Sequence, residues 1–256
     1  MYMKVLAIMG SPKGNGNGFE VTKAIEGHMN ARGRVEFDYL MLKDVNLGLC
    51  RGCFQCISKG EDRCPMREDR LAIERRMEDA DGIILVSPGY VQDVSWLMKN
   101  FIDRFAYTHH RPKYFEKKVM LVANGGSGLK RTTKSLSMAI GGLEIVSELQ
   151  AMKLPWPMND RAIRKNQQRI EKAADRFYDE LQRKEPRVSL GSYMGFRFFK
   201  SVSESTREHL PADYEYYRDK TDYYFPAKIG LGKRGGSALL IAILKRTMRD
   251  MTPRED

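Results

Sequence analysis

The sequence predicts an α/β fold, a doubly wound five-stranded parallel sheet with a C-terminal extension, and three observations carry that expectation. Apolar runs of strand length alternate with longer amphipathic stretches over about the first 185 residues. Glycine or a Ser-Pro-Gly turn closes several of the runs. Within them the residues are apolar nearly throughout, the pattern of strands buried on both faces. Right-handed crossovers between such strands place helices on both sides of the sheet.

Taken in order, "MKVLAIM" at 3–9 is the first strand, followed by "GSPKGNGNG" and by helical spacing from Phe19 to Asn30. Val35 to Leu40 is the second strand, after the Arg32-Gly33-Arg34 turn. A cysteine-bearing segment precedes a charged helix over Arg67 to Ala80, with Leu71, Ile73, Met77 and Ala80 on its core side. "DGIILVS" is the third strand, ending at Ser87-Pro88-Gly89, and Val94, Leu97, Met98, Phe101, Ile102 and Phe105 mark one face of a helix over 94–107. The fourth strand runs from Lys118 to Asn124, breaks at Gly125-Gly126, and leads to a helix near Thr132 to Ile140. "LEIVSELQAM" from Leu143 carries the fifth strand, and Asp160 to Glu185 reads as a long charged helix.

Residues 1–185 thus form one domain and 186–256 an arm of different composition. Ten of the chain's 25 aromatic residues fall between Leu190 and Phe225, too many to leave in water, so the arm is expected to be an ordered active-site cover or subunit contact. Its end, "AKIGLGKRGGSALLIAILKRTMRD", holds Lys228, Lys233, Arg234, Lys245, Arg246 and Arg249 and no acid before Asp250. "SALLIAILKRTM" has the apolar side and basic end of a short helix suited to peripheral membrane contact or subunit docking.

Charged residues at 30% and hydrophobic residues at 42% exclude a wholly disordered chain, and no apolar run approaches a membrane span. The N-terminal run reads as a strand rather than a signal peptide, which gives a cytoplasmic expectation. A net charge of +11 favours anionic partners: a phosphorylated cofactor, an acidic membrane face or nucleic acid. The aromatic segment precedes the basic one instead of interleaving with it, which argues against nucleic acid.

Three loops carry the functional signal. After the first strand, glycines including Gly16 allow close backbone approach, Ser11, Asn15 and Asn17 add polar groups where a helix begins, and Lys13 adds charge, so the loop suits a phosphate. It has neither the triphosphate-loop nor the dinucleotide spacing. "SPGYVQDVS" and "NGGSG" lie beyond the third and fourth strands, where ligands bind in such sheets; Gly89 can approach a planar ring, and Tyr90 or Trp96 can stack on it. Cys50, Cys53, Cys56 and Cys64, spaced C-x2-C-x2-C-x7-C, are all the cysteines present. A local cluster of this kind points to soft-metal or redox chemistry: an iron-sulfur cluster, a structural zinc, or free thiols and a redox-sensitive pair. His109 and His110 read as surface residues, His28 and His209 have no partner spacing, and no catalytic acid–base pair or nucleophile elbow stands out, so no catalytic side chain is assigned.

With "GSPKGNGNG", "CRGCFQC", Cys64 followed by "MRED", "SPGYVQDVSWLMKNFIDR" and "ANGG", the first 185 residues resemble the flavodoxin-like NADPH-dependent FMN reductases and the related iron-sulfur flavoproteins. The resemblance implies sheet order 2-1-3-4-5 and FMN phosphate on Ser11, Lys13, Asn15 and Asn17. It also implies isoalloxazine contacts from Pro88, Gly89, Tyr90 and Val91 with Asn124, Gly125 and Gly126. The expected activity is an FMN-dependent oxidoreductase passing electrons from NAD(P)H to a small acceptor such as a quinone, a flavin or an aromatic, in a homodimer or homotetramer. In the iron-sulfur relatives the cysteines bind a 4Fe-4S cluster, which gives the alternative of a relay between ferredoxin, cluster and FMN. A membrane-associated or anion-binding interaction protein is the reading from another class.

Overall fold

The structure, a computed structural model, describes residues 2–230 and 232–235. In chain order the elements are β1 (Met3–Met9), α1 (Asn17–Arg32), β2 (Val35–Met41), α2 (Gln55–Ser58), α3 (Arg67–Asp79), β3 (Gly82–Pro88), α4 (Trp96–Arg104), α5 (Tyr107–His110), β4 (Lys118–Gly125), α6 (Leu129–Leu136), β5 (Glu144–Met152), α7 (Asp160–Leu181), α8 (Leu190–Ser205) and α9 (Pro211–Tyr217). They fall into two compact units: the chain up to Gly52 with Pro65–Pro186, and Cys53–Cys64 with the chain from Arg187 onward.

In the first unit the five strands are all parallel, in the order β2-β1-β3-β4-β5, as expected from the sequence. All seven residues of β3 and seven of the eight of β4 are buried, which explains their unbroken apolar runs. Edge strand β5 instead mixes exposed and buried positions. On one face of the sheet Met3, Val5, Ala7, Ile84 and Val122 meet Val21, Ile25 and Met29 of α1 and Ile170, Ala174 and Phe177 of α7. Each large side chain fully buried here contributes about 1.5–3 kcal/mol.

Three helices of the sheet unit depart from the pattern read in the sequence, one of them α7, which ends at Leu181 instead of Glu185. The expected helix over 94–107 begins at Trp96, because Ser95 caps it by accepting from the Met98 amide at 3.2 Å, and it divides after Arg104 into α4 and α5. Helix α6 starts at Leu129, earlier than expected, because Gly128 takes φ +68° and turns the chain there; it ends at Leu136.

In the second unit α8 and α9 enclose an aromatic core. Tyr193, Phe196, Tyr217 and Tyr223 are buried, and Phe199, Tyr216, Tyr224 and Phe225 pack against them. Phe196 meets Tyr224 edge-on at 5.0 Å between centroids, and Lys220 Nζ lies 3.9 Å from the Tyr216 ring centroid. The cysteine segment belongs to this unit: α2 packs on α9, and a Cβ at Gly60 would stand 3.7 Å from that of Ala212. Among the basic residues of the tail, Lys233 donates to the Val188 carbonyl at 2.7 Å. The expected helix at "SALLIAILKRTM", with Lys245, Arg246 and Arg249, lies outside the described residues. Among those described, no helix is long and apolar enough to cross a membrane.

Candidate functional site

At the carboxyl ends of the strands in the sheet unit lies a cleft of about 490 Å³. The loop after β1 supplies Ser11, Lys13, Gly16, Asn17 and Gly18; the end of β3 supplies Pro88, Gly89 and Tyr90; the end of β4 supplies Asn124, Gly125 and Gly126. Beyond β5, Lys153, Leu154 and Pro155 complete it. Ten of the twelve residues expected to hold a cofactor therefore line one cavity. Asn15 and Val91 do not: Asn15 is exposed outside the lining, and Val91 is 99% exposed. Gly18 closes the glycine loop read in the sequence without having been singled out there, and Lys153, Leu154 and Pro155 were not anticipated. The fifth strand's own terminal loop, "KLPWP", was the signal for the last three, since the crevice lies at every strand end near the switch in strand order.

Local chemistry makes the cleft suited to a phosphorylated planar ligand. Ser11 Oγ accepts from the Lys13 amide at 3.2 Å and shapes the loop. No side chain caps α1; the Phe19 and Glu20 amides donate to the Gly16 carbonyl at 2.9 and 3.2 Å, which leaves the Asn17 and Gly18 amides at the helix start for an anion. The two ring-side loops are stitched together by the Gly89 amide donating to the Asn124 carbonyl at 2.9 Å, while the Lys153 amide donates to the Gly125 carbonyl at 3.0 Å. Asn124 Oδ1 is buried without a hydrogen-bond partner, and a Cβ at Gly18 would come within 3.0 Å of it. A Cβ at Gly89 would come within 3.0 Å of Thr132 Oγ1, another buried atom without a partner. A glycine cradle and an unsatisfied amide oxygen fit a flavin, whose ring needs close backbone approach and whose N–H groups need acceptors.

Helix α4 ties this cleft to the root of the cysteine segment. At its start the Ser95 hydroxyl donates to the Gly10 carbonyl, and the Ser95 amide donates to Ser87 Oγ at 3.0 Å. One turn further on, Asn100 accepts from the Cys50 amide at 3.0 Å and donates to the Leu47 carbonyl at 3.1 Å. Arg104, buried, donates to the Gly48 carbonyl at 2.7 Å, to the Met66 carbonyl and to both oxygens of Asp69. Burial by itself would raise the Asp69 carboxyl, but the Arg104 guanidinium and the Gly48 amide outweigh it and hold the group below the usual carboxylate range.

Of the four cysteines, Cys50 and Cys53 are exposed and Cys56 and Cys64 half-buried. Among the described residues no three His, Cys, Asp or Glu side chains converge as a metal site. His109 Nε2 lies 2.8 Å from the Met138 carbonyl and has no place in the cleft.

Sheet order, crevice and glycine cradle define a flavodoxin-like flavin-binding protein. The pattern of the NADPH-dependent FMN reductase family matches residues 3–151, more than half of the chain, and the protein belongs to that family. It is an FMN-dependent oxidoreductase drawing electrons from NAD(P)H. Among curated relatives, an iron-sulfur flavoprotein of Archaeoglobus fulgidus is 29% identical over 231 residues, covering 85% of this chain and 99% of the relative. An iron-sulfur flavoprotein of Methanocaldococcus jannaschii is 39% identical over 104 residues, 40% of this chain and 51% of its own length. A solved NAD(P)H:quinone oxidoreductase from Methanothermobacter marburgensis shares the fold, with a TM-score of 0.51 at 17% identity over 68% of this chain and 98% of that one.

Proposed function

We propose that the cleft holds FMN with its phosphate on Ser11, Lys13, Gly16, Asn17 and the first turn of α1, and its ring among Pro88, Gly89, Tyr90, Asn124, Gly125 and Gly126, for reduction by NAD(P)H and reoxidation by a small apolar acceptor. Bound FMN supplies the two-electron redox chemistry. The chain's residues bind, orient and exclude water: Lys13, and Lys153 once drawn from its 2.9 Å ion pair with Glu20, offset phosphate charge, the glycines admit the ring, and Asn124 Oδ1 accepts from a ring N–H. The observation that carries this reading is the buried, unpartnered Asn124 Oδ1 in a glycine-lined cleft. Ligand released by denaturation is expected to chromatograph as FMN, one per chain, and anaerobic NADPH is expected to bleach it; stoichiometric FAD would overturn the assignment.

A second reading adds Cys50, Cys53, Cys56 and Cys64 as ligands of a 4Fe-4S cluster exchanging electrons with ferredoxin. It is favoured by the extent of the Archaeoglobus match: covering 85% of a 256-residue chain, it reaches at least to about residue 217 wherever it begins, well past the family pattern. Arg187 onward, with Cys53–Cys64, would then be the cluster's housing rather than a flavin cover. Iron and sulfide assays on anaerobically purified protein, with mass measurement for the proposed homodimer or homotetramer, separate this reading from the simpler reductase.

A further inference from the structure

Val91 and Gln92 form the tip of a two-residue turn closed from both sides, with the Tyr90 amide donating to the Asp93 carbonyl at 2.9 Å and the Asp93 amide to the Tyr90 carbonyl at 3.0 Å. Both tip residues lie in the left-handed region, φ 51° and 65°. Such turns ordinarily place Asn-Gly there, and a β-branched residue is among the least comfortable in that conformation. Burial does not offset the strain, since the Val91 side chain is 99% exposed.

The surroundings impose the conformation. Gln92 lies against Gly128, where a Cβ would stand 2.5 Å from Gln92 Cγ. Asp93 accepts from the Val94 amide at 2.7 Å. Strain of this kind is retained where a site uses it. The turn follows Pro88, Gly89 and Tyr90 of the cleft lining directly, while Val91 itself lies outside that lining. Tyr90 and Trp96, 43% and 62% exposed, flank it in the chain.

We infer that Val91 is a specificity-determining contact for the second substrate, favouring an apolar, planar electron acceptor over a hydrophilic one. The inference rests on the oxidoreductase reading and deepens it. An isopropyl group held rigidly in water gains from burial only when a molecule covers it, so it contributes to binding of the acceptor and not to folding. In the turnover concerned, a naphthoquinone takes up two electrons and two protons and leaves as the hydroquinone; NAD(P)H supplies a hydride and water the remaining proton.

The test compares Val91→Asn and Val91→Gly, both at ease with positive φ, as FMN-loaded proteins with NADPH as donor. The kcat/KM for a naphthoquinone, divided by that for ferricyanide on the same preparation, should fall about ten-fold, the loss falling mainly in KM, as expected for removal of one buried apolar group. Thermal stability should rise in both variants as strain is relieved. A ratio within about two-fold of the original in both variants, or an altered oligomer mass with unaltered acceptor kinetics, would overturn the inference. Failure of NADPH to reduce the flavin of the unsubstituted protein would instead refute the oxidoreductase reading on which it rests.

Discussion

The sheet unit buries aliphatic side chains between parallel strands and helices, whereas the second unit buries aromatic rings between two helices and the loops beside them. In the first, backbone geometry makes the site: strand ends, glycines and a helix start converge, and the side chains that matter are few. In the second, side chains make the structure, with Phe196 alone in ring contact with Tyr217, Tyr223 and Tyr224. A site built from backbone tolerates substitution of its neighbours but not a Cβ at its glycines. A core built from rings is sensitive at each ring.

The contrast can be broken most severely at Arg104. Replacing it with Met leaves the half-buried Asp69 carboxylate without its main partner and the Gly48 and Met66 carbonyls without their donor, and urea unfolding of the sheet unit should lose about 3 kcal/mol. Adding Asp69→Leu should recover much of that loss, because no uncompensated charge remains. Phe196→Ala should cost about 3 kcal/mol, confined to the second unit, with FMN retention unchanged. Loss of FMN in that variant would show that the units do not divide the work as described.

Lys13→Gln combined with Lys153→Gln should raise the FMN dissociation constant at least about ten-fold, from the loss of charge-assisted contacts, while leaving the melting point of FMN-free protein within a few degrees. Two caps make a finer comparison, since Asn159 accepts from the Ala162 amide in the sheet unit and Ser189 from the Ser192 amide in the second. Alanine at either should cost about 1 kcal/mol, each in its own unfolding transition; a single shared transition would merge the two units into one cooperative block.

The smallest effect concerns pH. The native Asp69 carboxyl titrates below its unfolded value, so its stabilising contribution is complete above the unfolded pKa and is lost as pH falls through the native one. Asp69→Asn should therefore flatten the acid limb of the stability curve and leave its neutral and alkaline course parallel to the original.

Much of this was legible in the chain. β1, β3 and β4, buried on both faces, announce themselves as unbroken apolar runs, the edge strands β2 and β5 as mixed runs after a turn, and all five lie within two residues of their expected ends. The loops beyond β1, β3 and β4 were equally visible because glycine, proline and asparagine cluster there. Helix α8 was not, since Gly191, Gly195 and three phenylalanines weaken its propensity, and only Ser189 marks its start. Lys153 was missed because a lysine after a strand has no local signature; its position beside Gly125 arises from strand order. The Arg104–Asp69 pair was hidden for a related reason, as 35 residues separate two charges that read as ordinary members of solvated helix faces.

The second unit is assembled from two stretches far apart in the chain, Cys53–Cys64 and the residues from Arg187 onward. On the ribosome these are made at different times. At about 5–20 residues per second, the cysteine segment waits roughly 6–25 s before the first residue of α8's flank is even polymerised, and β3, β4 and β5 are made in between. During that interval α2 has no α9 to pack against, so the cysteine segment meets a different environment in the nascent chain from the one in the finished protein. The order of synthesis thus leaves the segment to its own local turns until the C-terminal helices arrive.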